Sequence, residues 1–124
     1  MGVIGKALQA AESTKQLAQA RPSGTGAVSA VLKGAKSKLL ITSIIVCNTT
    51  GGSVNYSIYI DNNGTTYDQT TALFYACALA ANTTVIIESI AGIPIDRSTS
   101  AGGNLAVQTS SGSALTFTIN GIEI

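Results

Sequence analysis

Residues 38–61, KLLITSIIVCNTTGGSVNYSIYID, restrict the fold more than any other stretch of the chain. Two runs dense in β-branched and aromatic residues flank a cluster of turn formers, Asn48, Thr49, Thr50, Gly51 and Gly52, and no helical period fits either run. The pattern predicts two strands joined as a β-hairpin. The first, residues 39–48, is apolar on both sides. Simple alternation sets Leu39, Ile41, Ile45 and Cys47 against Leu40, Ile44 and Val46. One face of an antiparallel sheet commonly meets water, so a second apolar face calls for a cover. Leu40, Ile44 and Val46 are therefore the expected subunit interface. The second strand, residues 54–61, alternates cleanly, with Val54, Tyr56, Ile58 and Ile60 inward and Asn55, Ser57, Tyr59 and Asp61 outward.

The same rhythm continues on both sides of this stretch. Strands are expected at 27–33, 71–79, 83–90, 104–109 and 114–124, separated by turns rich in Gly, Asn, Ser and Thr. In the strand at 71–79, alternation sets Leu73, Tyr75, Cys77 and Leu79 on one face; in the last strand Leu115, Phe117 and Ile119 face the core, and Gly121 suggests a bulge. Pro94 excludes residues 92–96 from a central strand. The fold class is mainly β, an antiparallel β-sandwich or jelly roll of seven to eight strands.

Residues 3–20, VIGKALQAAESTKQLAQA, are composed of strong helix formers with only a thin apolar stripe, and predict a helix that packs on a partner. Pro22, Gly24 and Gly26 then read as a hinge. The chain is thus expected to divide into a helical arm with its hinge, residues 1–26, and a sandwich body, residues 27–124.

Only 10% of the residues are charged, against roughly 25% in ordinary soluble domains, and the mean hydropathy is +0.35. Such a surface is readily covered by other subunits, because little ion desolvation opposes burial. The charge is also unevenly placed. Lys6, Lys15, Arg21, Lys33, Lys36 and Lys38 face the single anion Glu12, whereas the remainder sets Asp61, Asp68, Glu88, Asp96 and Glu123 against Arg97. A basic arm that meets an acidic protein surface follows, with Lys6, Leu8, Lys15, Leu17 and Arg21 as its contact residues. The cations are dispersed and no aromatic residues interleave with them, which argues against nucleic acid.

Chemistry is hard to assemble from these residues. There is no histidine to serve as the base of a Ser or Cys nucleophile, and the carboxylates are isolated on different strands or loops. No catalytic residue and no cofactor is expected. Two cysteines without histidine cannot close a zinc site. The turn at Asp61, Asn62, Asn63 and Gly64 lacks the further acidic positions of a calcium loop. No run approaches the roughly 18 apolar residues of a membrane span, and the start lacks the pattern of a secretory leader. Synthesis in a cytoplasm is expected, with Cys47 and Cys77 as thiols and a cross-core pair left open.

The succession of pieces at 41–48, 54–60, 81–90, 104–108 and 115–124, with its Cys-Asn strand end, its ANTTVII and NLAVQ strands and its terminal LTFTINGIEI, resembles small virion proteins of tailed bacteriophages. The resemblance covers nearly the whole body but not residues 1–20. It implies a structural subunit located in a virion, often trimeric. Such a subunit decorates or cements a capsid through the major capsid protein, or sits on the neck, tail or fibre as an adaptor. A rival of a different class is a carbohydrate-binding sandwich with Tyr56, Tyr59, Tyr67 and Tyr75 as contacts.

Overall fold

The structure, a computed structural model, describes residues 14–30, 32, 37–62, 64–97 and 104–124. Nine strands lie among them: β1 (Lys15–Ala20), β2 (Val28–Ser29), β3 (Lys38–Asn48), β4 (Val54–Asp61), β5 (Ala72–Leu79), β6 (Thr84–Ile87), β7 (Ile93–Asp96), β8 (Asn104–Thr109) and β9 (Leu115–Glu123). One sheet has the order β1-β9-β3-β6, with β7 also on β3, and the other has the order β2-β8-β4-β5. Every pairing is antiparallel. The first strand lies beside the last and the second beside the penultimate, as in a long hairpin rolled over on itself. This is the jelly-roll order, two sheets built from Greek keys. The expected sandwich is present.

The central hairpin is not. β3 and β4 belong to different sheets, so the turn at 49–53 carries the chain from one layer to the other. β3 instead pairs along its length with β9, and on its other side with β7 and then β6. The reason lies in the composition of the two runs. β3 can take a central place because both its faces are apolar, while β4 finds equally good neighbours in β5 and β8. Asn48 fixes the crossing. Its buried side-chain amide donates to the carbonyls of Gly52, Leu79 and Ala80 at 2.9, 3.0 and 3.2 Å, and its Oδ1 accepts from the Thr50 amide at 2.9 Å. One side chain thereby satisfies two turns that would otherwise bury bare carbonyls.

The helix expected at 3–20 fails where the structure describes it. Residues 15–20 form β1 on the edge of β9, and Leu17 is fully buried. Helix propensity is a weak preference, and here the open edge of β9 offers backbone partners while the core offers Leu17 a place. The part of the expected helix at 3–13, including Lys6 and Leu8, lies outside the described residues, as does the turn at 33–36. The following Pro22–Gly26 segment is docked on the body: the Ser113 amide donates to the Pro22 carbonyl at 2.8 Å, and a Cβ on Gly112 would lie 2.2 Å from the Ser23 carbonyl oxygen.

The core lies between the two sheets. Leu39, Ile41, Ile44, Val46, Phe117 and Ile119 from one meet Val54, Tyr56, Ile58, Leu105 and Val107 from the other. The inward sets of β4 and β9 match the simple alternation read from sequence. That of β3 does not, because a bulge between Ile41 and Ser43 shifts the phase. After it, Ile44 and Val46 join Leu39 and Ile41 in the core, each fully buried. β6 ends at Ile87, and a turn at 88–91 brings Ile90 into the core. β7 is an edge strand, in keeping with Pro94.

Candidate functional site

Two surfaces remain once the core is filled, the outer faces of the two sheets. On the β1-β9-β3-β6 sheet, register places Ile45 between Thr118 and Ile86, Cys47 between Thr116 and Thr84, and Leu40 between Ile122 and Pro94. Directly opposed residues share a face, so these side chains form one outer row. Ile86 is 59% exposed, and Leu40, Ile45, Cys47 and Ile122 are half-buried. Of the interface residues expected from sequence, Leu40 lies on this face, whereas Ile44 and Val46 are core. Their places are taken by Ile45, Cys47 and Ile86. Several polar side chains beside the row are bonded to one another: Gln19 to Thr118 at 3.1 Å, Arg21 to Thr116 at 3.1 Å, and Asn120 to Ser43 at 3.2 Å.

The described residues of the expected arm contacts sit on this same sheet. Lys15 forms an ion pair with Glu123 across β1 and β9. Leu17 is spent in the core. Arg21 reaches Thr49 Oγ1 at 2.9 Å and the Ser113 carbonyl at 2.6 Å besides Thr116, tying the end of β1 to two turns.

The outer face of the β2-β8-β4-β5 sheet differs in kind. Residues 64–71 of the connection from β4 to β5 fold over it and bring the Tyr67 ring to 6.4 Å from that of Tyr59, tilted by 46°. Ser29 Oγ lies 3.1 Å from the Tyr67 hydroxyl, and the buried Tyr59 donates its hydroxyl to Gln108 Oε1. Within the connection, Asp68 Oδ1 accepts from the Thr70 amide at 2.8 Å and from the Thr70 hydroxyl. Those two donors, the hydroxyl foremost, hold the Asp68 carboxyl below its ordinary pKa. Beside it lies a groove of about 450 Å³, lined among others by Tyr59, Tyr67, Gln69, Tyr75 and Gln108. A second hollow of about 160 Å³, reaching Asn55, Ser57 and Thr25, adjoins it and shares Tyr75 and Gln108.

Three of the four tyrosines named from sequence thus gather on one face. The fourth, Tyr56, points into the core, where burial foremost and the neighbouring Cys77 raise its pKa. Gln108 is the residue that sequence reading passed over. Nothing marks a lone glutamine on a short strand, and only the pairing of β8 with β4 puts it beside Tyr59. Cys47 and Cys77 are both free, one on an outer face and one paired in register with Tyr56. Among the described residues no three His, Cys, Asp or Glu side chains are grouped to hold a metal ion, and no helix is long and apolar enough to cross a membrane.

No protein-family profile matches the chain, and no curated protein is similar to it in sequence. Among solved structures, it is similar to a chain of the T13 viral particle of infectious bursal disease virus, with 16% identity over 89% of this chain and a TM-score of 0.46. The Gx strain of the same virus gives 14% identity over 87% and 0.41, and its VP2 subviral particle gives 17% over 87% and 0.41. The protein spans about 30% of the length of these chains. Overlap at this level carries no conclusion about function.

Proposed function

We propose that the protein is a non-enzymatic structural subunit of a virion, of the tailed-phage kind that its sequence resembles, and that it self-associates through the outer face of the β1-β9-β3-β6 sheet. The observation that carries this reading is the row of Leu40, Ile45, Cys47, Ile86 and Ile122 on an outer face where several neighbouring polar side chains pair with one another. Covering such a face removes apolar area from water at little cost in lost hydrogen bonds to solvent. The assembly is a trimer that decorates or cements a capsid, and the lysine-bearing N-terminal segment anchors it on an acidic protein surface. The alternative placement is a neck or tail adaptor. A cement protein is spread over the shell in many copies and an adaptor occupies a single vertex in few, so the copy number in purified particles separates the two.

Sedimentation velocity tests the association directly. The full chain is expected to sediment as a trimer, and Ile86→Asp, which puts a carboxylate in the middle of the face, is expected to shift it to monomer without loss of β structure. A wild-type chain that stays monomeric at the highest soluble concentration, or an Ile86→Asp variant that sediments as the wild type does, overturns the reading.

A further inference from the structure

The groove over β4, β5 and β8 has the features of a built site. Its central aromatic ring is displayed by an irregularity in the backbone. Counting back from Leu79 and Cys77, which face inward, simple alternation would send Tyr75 inward as well. Instead, register shifts across β4 and β5 and a left-handed Ala76, at φ 50°, turn Tyr75 out to 51% exposure. The Ala76 amide is not left bare, since Ser57 Oγ accepts from it at 2.8 Å. A non-glycine residue in this region of φ/ψ is uncommon, and bulges of this kind re-aim side chains beside binding sites.

Among the polar groups around the ring, Gln108 is held from behind. Gln108 Nε2 donates to the Thr25 carbonyl at 2.9 Å, and its Oε1 accepts from Tyr59. The amide plane is thereby oriented, with its second N–H left for a ligand. Gln69 and Thr70 also line the groove. Among the described residues lining the two hollows, Asp68 is the one that is charged, and its carboxylate disfavours an anion there. The oriented Gln108 amide, with the Gln69 amide and the hydroxyls beside an exposed aromatic plane, matches a ring that is apolar on its face and hydroxylated at its rim. The volume of about 450 Å³ lies within the usual range for small-molecule sites, about 300–1,000 Å³.

We propose that this groove binds a neutral saccharide, with Tyr75 as the stacking platform and the amides of Gln108 and Gln69 meeting its hydroxyls. The site lies on the sheet opposite the self-association face, so the two proposals stand or fall separately. The test applies the full chain to an array of neutral and acidic oligosaccharides and then titrates the best neutral binder by calorimetry. Binding of neutral sugars is expected. Tyr75→Ala should weaken it about tenfold, corresponding to loss of the stacked ring, and Tyr75→Phe should stay within about threefold, while Ile86→Asp on the other sheet leaves it unchanged. An array that shows no binding, or binding of acidic sugars alone, overturns the proposal, as does a Tyr75→Ala variant with wild-type affinity.

Discussion

The two outer faces of this jelly roll are built from the same kind of strand and end up with opposite characters. On the β1-β9-β3-β6 sheet the surface is an apolar row flanked by polar side chains, three pairs of which bond to one another. On the β2-β8-β4-β5 sheet it is concave, lined by aromatic rings and amides, and partly roofed by residues 64–71. In both cases a bulge decides which side chains are displayed: the one in β3 brings Ile45 and Cys47 outward, and the one in β5 does the same for Tyr75. An apolar row whose polar neighbours largely pair with one another suits another protein, whereas a concave surface with an oriented amide suits a small hydroxylated ligand.

The sharpest way to break this comparison is to place the same charge on either side of β3. Ile44 is fully buried and Ile45 lies on the outer row. Ile44→Asp would strand a carboxylate in the core at a cost on the order of 4 kcal/mol or more, enough to unfold a domain whose total stability is about 5–15 kcal/mol. Ile45→Asp should cost about 1 kcal/mol or less in the isolated subunit and act on association instead. Urea denaturation of both variants distinguishes them, and equal losses would show that the bulge does not set the faces as described.

Much of the fold was legible because it depends on local alternation. β4 and β9 carry no extra residue of their own, the register shifts of their pairings falling on the strands opposite, and their inward residues, Tyr56 and Ile58, Phe117 and Ile119, follow from period two alone. What escaped was set by neighbours distant in sequence. Nothing in LLITSIIV announces that Thr42 is the extra residue, since the shift appears only where β3 meets Asn120 and Gly121 of β9. The same strand supplies the partner that overrides the helical preference of residues 15–20. The groove was half legible: the tyrosines could be named, but not that Tyr56 leaves them for the core or that Gln108 joins them. Gly121 was expected to mark a bulge, and the irregularities lie in the strands on either side of it, between Ile41 and Ser43 and between Gln16 and Ala18.

Gly121 offers an intermediate test, because it lets those two bulged strands approach. A Cβ there would fall 2.1 Å from the Leu40 carbonyl oxygen and 2.6 Å from Leu17 Cδ1. The first of these is backbone and cannot swing away. Gly121→Ala should therefore cost about 1–3 kcal/mol and disturb the Leu40 end of the outer row. Gly51, in the crossing turn, has nothing within 4 Å of an added Cβ, and Gly51→Ala should leave stability nearly unchanged. Equal denaturation midpoints for the two variants would mean that the close approach at Gly121 is not a constraint.

The smallest effect concerns the roof of the groove and is read by pH. Asp68 is fully exposed, and its carboxyl is held below the ordinary range by the Thr70 hydroxyl and amide. A group whose pKa is depressed by folding favours the folded loop above the ordinary carboxylate pKa, and that contribution disappears as the pH falls through the lowered value. The Thr70 amide resonance should therefore titrate at a lower pH than a carboxylate in an unstructured peptide, while core resonances such as those of Phe117 do not follow it. In Asp68→Asn the side-chain oxygen can still accept from Thr70, so the turn should persist and the titration vanish. A Thr70 amide that titrates at the ordinary carboxylate pH would show that this turn does not hold the charge. The roof over Tyr59 would then owe its order to the Tyr67 ring contact, the Ser29 hydroxyl and the bonds that Thr66 and Thr71 make to Asp61 and to each other.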